Sequence, residues 1–99
     1  MSTKNLSLQI AVAEKAVELH GLEQTLRTAS MDLREACADF RAKHNRGEYI
    51  PRESEVYEQM RDATGLEFEA YSEAKRNVRN AKRRLDTAVR KLLEKEGRP

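Results

Sequence analysis

The chain has 99 residues, 36% of them charged and 38% hydrophobic, with three Tyr and two Phe as its only aromatic residues and a single Cys. That composition excludes an internal disulfide framework and a large globular core, and it points to one small domain made of long helices or a coiled coil. Nineteen basic and seventeen acidic residues leave a net charge of only +2. No apolar run resembles a secretory leader or a membrane span, so a cytoplasmic chain with no membrane partner is expected.

The first segment covers about residues 7–44. Leu19, Leu22, Leu26, Ala29, Leu33, Ala36 and Phe40 recur at alternating steps of 3 and 4, the a/d pattern that lines one face of a helix. This seam extends back through Leu8 and Val12, with Lys15 as an interruption that Ala16 is expected to cover. Such regularity argues against disorder despite the low hydrophobicity. Lys43 and His44 fall in the last turn, where the helix dipole favours cations.

Residues 45–51 break the periodicity. Gly47 suits a left-handed cap at the end of the first helix, and Pro51 suits the opening of the next. The second segment covers about residues 52–95, with Glu53, Glu55 and Glu58 near its start. Its seam is Tyr57, Met60, Thr64, Glu67, Tyr71, Ala74, Val78, Ala81, Leu85, Ala88 and Leu92. Two seams of similar length and one short connection predict a single all-α domain, a long antiparallel two-helix hairpin. Phe40 should face Tyr57, and Leu8 should approach Leu92. Gly21 and Gly65 each cost about 1 kcal/mol relative to Ala inside a helix. If they break the helices, the alternative is a bundle of three or four shorter pieces.

The first helix carries a second apolar stripe. At about 100° per residue, Leu6, Ile10, Ala13 and Val17 lie opposite the seam, continued more thinly by Met31 and Ala38. One neighbouring helix covers only one of two opposite faces. The stripe is therefore expected to bury itself against another protein or a second copy, most simply as a homodimer forming a four-helix bundle.

Charge is segregated along the chain. Residues 48–73 hold eight acids and two bases, a sum of −6, while residues 75–99 hold ten bases and three acids, a sum of +7. The first helix adds −1 over residues 1–24 and +2 over residues 25–46. In a hairpin this gives a dipolar rod, about −4 at the turn and +6 at the open end. Arg76, Arg79, Arg83 and Arg90 cluster opposite the seam of the second helix. They form either an ordinary solvated face or a footprint for phosphates or an acidic protein. Tyr49 and Ile50 stand at the turn, either as a contact point for a partner or folded back over the end of the seam.

The residues that catalysis needs are missing. His20 and His44 have no second His or Cys at ligand spacing, Cys37 lies on the seam side, and there is no Gly-rich phosphate loop or nucleophile elbow. No cofactor, metal or enzymatic activity is expected. A short, highly charged, motif-free helical chain is similar in general look to small accessory proteins of bacteria and their phages. The expected function is a protein–protein interaction module, an adaptor or inhibitor of a larger bacterial or phage-host machine. The alternative is nucleic-acid binding through the basic half of the second helix.

Overall fold

The computed structural model of the protein describes residues 3–44 and 49–97, with side chains from Asn5 onward. These residues form an all-α structure with no strand among them: α1 (Thr3–His44), α2 (Glu55–Ala63) and α3 (Gly65–Lys95). The expected Gly47 cap lies outside the described residues. α1 starts four residues earlier than the heptad pattern suggested, so Leu6 stands inside the helix rather than ahead of it.

The molecule is a rod of 64 × 21 × 17 Å with a radius of gyration of 20.5 Å. A compact chain of this length would have a radius near 13 Å. At about 1.5 Å per residue, the 42 residues of α1 span the whole long axis. α1 runs antiparallel to α3. Glu18 near its beginning pairs with Arg84 late in α3, and Ala29 in its middle shares a groove with Leu66 early in α3.

Both seams face inward. Ala29, Phe40, Ile50, Met60, Ala74, Val78 and Ala81 form the buried apolar core, Thr64 is buried beside them, and the remaining seam residues are half-buried. At the interruption, Lys15 stays half-buried on the seam side and Ala16 is exposed, so the expected cover is corrected. The Lys side chain resolves the conflict itself. It lines a groove with Leu8 of α1 and Ala88 of α3 while its ammonium reaches Glu18 at 3.7 Å, as long basic side chains do at an apolar edge.

Two features divide what was expected to be one second helix. Pro51 does not open it. The Pro51 carbonyl instead accepts from the Ser54 backbone N–H at 3.1 Å and from Ser54 Oγ at 2.8 Å. Ser54 is the N-cap of α2, its hydroxyl oxygen accepting from the Tyr57 N–H at 3.2 Å. The cap satisfies an amide that the first turn leaves without a partner, and Glu55 and Glu58 place their charge where the dipole favours it.

The second division falls at Thr64. This residue is buried, and its hydroxyl donates to the Met60 carbonyl at 2.8 Å, a back-bond that bends helices. The backbone ladder continues across the bend, from Thr64 N to Met60 O and from Phe68 N to Thr64 O, both at 2.9 Å. Thr64 therefore holds its seam position without an unsatisfied hydroxyl, and it is the single residue between α2 and α3.

Gly21 does not break α1, which is helical throughout. A Cβ built there meets nothing within 4 Å. Gly21→Ala is expected to stabilise the protein by about 1 kcal/mol, the difference in helix propensity. For a chain of this size that raises the thermal midpoint by about 4–8 °C, which a circular dichroism melt reads directly.

Candidate functional site

The outer face of α1 is open along its length. Leu6, Ile10, Ala13 and Val17 are all exposed, Val17 at 72%, and so are Met31 and Ala38 further along. α2 and α3 concentrate their apolar residues on one side, whereas in α1 apolar residues lie on two opposite sides and nearly cancel. Only the inner side meets α3. Leu6 and Ile10 border a shallow depression with Ala11 and Glu14.

An open groove of about 550 Å³ runs beside this face, between Gln24, Thr25 and Thr28 of α1 and Leu66 and Ala70 of α3. Leu66 is 81% exposed. Sequence reasoning missed it because it lies off the seam. The available signal was an apolar residue beside Gly65 at a position that the 3–4 spacing does not use.

The two residues of the connection point opposite ways. Tyr49 is 82% exposed, and Ile50 is 7% exposed and packed with Phe40 and Met60. The expected paired tip contact is thereby reduced to Tyr49, because Ile50 closes the end of the seam. Cys37 is half-buried against the same cluster, and the His44 ring lies 4.4 Å from the Phe40 ring.

On α3, Arg76, Arg79, Arg83 and Arg90 are all exposed. Arg90 is engaged by Asp86 at 2.6 Å, which leaves Arg76, Arg79 and Arg83 without a salt bridge among the described residues. Arg84 turns from that row and binds Glu18 across the helix pair. Its guanidinium hydrogen bond, opposed by some desolvation and aided by the charges of Arg84 and Lys15, holds the Glu18 carboxyl below its ordinary value of 4.5.

In the unfolded chain Glu18 therefore takes up a proton first as the pH falls. The bridge's contribution is present above pH 4.5 and is lost as the pH drops through the lower folded-state value. Arg84→Met should return the Glu18 titration, followed by carboxyl NMR, upward toward 4.5. Because the pair is exposed, global stability should change little.

Among the described residues, no group of three or more His, Cys, Asp or Glu side chains is placed to hold a metal. Among the same residues, no helix is long and apolar enough to cross a membrane. Comparison of the chain with protein-family models, with curated proteins and with solved structures finds no match.

Proposed function

We propose that the protein is a non-enzymatic protein–protein interaction module, a small accessory adaptor or inhibitor of a larger protein machine, built as a long antiparallel hairpin with a kinked second limb. The observation that carries this reading is the outer face of α1. Leu6, Ile10 and Val17 stand exposed together on a helix whose other face already fills the thin core. Isolated exposed apolar residues are ordinary, but an aligned row over three turns marks a contact surface.

Ile10→Asp and Val17→Asp test it. Both sites are exposed, so neither change disturbs the core. The tagged wild-type chain should retain a stoichiometric protein through nuclease treatment, and both variants should lose it. Equal retention by wild type and both variants removes the stripe from consideration.

Arg76, Arg79 and Arg83 favour a second reading, nucleic-acid binding along α3. They lie on one exposed face and make no salt bridge among the described residues. That reading requires affinity that falls steeply with salt. It also requires that the triple change of these residues to Glu abolish binding to duplex DNA or RNA in a filter or mobility assay.

A further inference from the structure

We propose that the groove between α1 and α3 at the open end of the rod docks an acidic amphipathic helix of a partner protein. This groove is not the outer face of α1. Its α1 residues Leu8, Ala11 and Lys15 fall within about 60° of Leu8 around the helix, on the seam side. Leu6, Ile10 and Val17 fall on the opposite side.

The open end lacks a cover that the turn end has. At the turn, the connecting segment and α2 lie against α1, and Phe40, Ile50 and Met60 are buried together. Every buried residue of the described chain falls between Ala29 and Ala81. In the antiparallel pair this leaves residues 5–28 of α1 and 82–95 of α3 with no fully buried side chain. Large apolar residues are present there. Leu8, Val12 and Leu19 on α1 and Leu85, Leu92 and Leu93 on α3 all stay half-buried. Two helices alone cannot enclose a shared seam from its sides, and a third helix laid along them can.

The groove has the chemistry for one kind of helix. It holds about 410 Å³, with Leu8 and Ala11 of α1 and Ala88 of α3 as its apolar surface. Lys15 on α1 and Arg83, Arg84 and Lys91 on α3 supply its charge. A neighbouring depression shares Leu8 and Lys91 and continues to Glu94 and Lys95. From Arg83 to Lys95 the path is about 18 Å, or about three helical turns. Lys15 and Arg84 are engaged by Glu18. Arg83 and Lys91 make no salt bridge among the described residues.

Charge and apolarity together select the occupant. Residues 75–99 sum to +7, which calls for an anionic partner. A nucleic acid brings charge without apolar side chains for Leu8, Ala11 and Ala88. A helix with an apolar face flanked by Glu or Asp brings both. A second copy of this chain carries its acids at residues 48–73, which sum to −6. The large apolar residues exposed there are Tyr49 and Leu66, too far apart along the chain to make one stripe of three turns. The helix therefore belongs to a different protein.

Fluorescence anisotropy with the full chain and a labelled, stapled helix of about 15 residues tests this, the staple holding a peptide too short to be stably helical alone. The probe carries Leu on one face and Glu on its flanks. The chain should bind it, and should bind a scrambled probe of the same composition at least about ten-fold more weakly, because scrambling keeps the charge and removes the apolar face. Arg83→Glu joined with Lys91→Glu should weaken binding at least about ten-fold by setting like charges together. Both residues are exposed, so the fold is retained, and a circular dichroism melt verifies it. Ile10→Asp and Val17→Asp should leave the affinity unchanged, which separates this groove from the outer face of α1. No binding of the probe, equal binding of the scrambled probe, or full binding by the Arg83→Glu, Lys91→Glu chain overturns the proposal. Self-association that this double variant abolishes would give the groove to a second copy, and a DNA duplex that displaces the probe would give it to phosphates. Either result overturns the acidic helix as its occupant.

Discussion

Phe40→Ala is expected to lower stability by about 3–5 kcal/mol, the usual cost of removing a buried Phe and leaving a cavity. Phe40 is 8% exposed and packs with Ile50 and Met60, while Cys37, Val56 and Tyr57 lie against the cluster. No other grouping in the described core brings together three large side chains, since the rest of it is chiefly Ala and Val. The ring joins α1, the connecting segment and α2, so its loss should loosen that end first. Amide exchange should accelerate through α2 before it does so in the middle of α3, as expected where buried apolar contact is sparse. Against a total stability of about 5–15 kcal/mol, urea denaturation should show a large fall in midpoint. A change below about 1 kcal/mol, the level typical of surface sites, would mean that the cluster does not hold the end of the rod together.

Ala81→Leu is the second large effect. Ala81 is 1% exposed, the most buried side chain of the described core. Ala74 and Ala81 on α3, with Ala29 on α1, keep the packed face of the helix pair small and the helices close. Three added carbon atoms at Ala81 have no space to enter, and α1 and α3 must separate or bend around them. Overpacking of this kind costs about 1–3 kcal/mol. The same denaturation experiment on Arg79→Leu, two residues away and exposed, serves as the control and should change stability by less than about 0.5 kcal/mol. Equal effects at the two positions would mean that burial at Ala81 does not limit the approach of the helices.

The residues that face inward were legible in the sequence because a 3–4 spacing places side chains on one side of a helix whatever lies opposite. That is why the seam of the second limb holds from Tyr57 to Leu92, with polar Thr64 and Glu67 included. The second stripe was legible for the same reason, since two opposite faces of α1 cannot both meet one neighbour. Tyr49 and Ile50 lie outside any helix, where no period assigns a side. Only the position of Phe40 and Met60 decided that Ile50 turns in and Tyr49 turns out. Lys15 and Ala16 show the same limit inside a helix, where the register of α3 and the nearby Glu18 carboxylate outweighed apolarity as a guide to burial. The bend at Thr64 and the groove beside Leu66 also belong to the tertiary structure. An exposed Thr25 makes the same back-bond to Gly21 inside the unbroken α1, so a Thr in the sequence does not mark the division at Thr64, and α3 had to lie against α1 before Leu66 and Gln24 shared a wall. Periodicity thus determined which faces exist on each helix. Packing decided which of them are covered, because coverage depends on where a second element stands, which no repeat within one helix encodes.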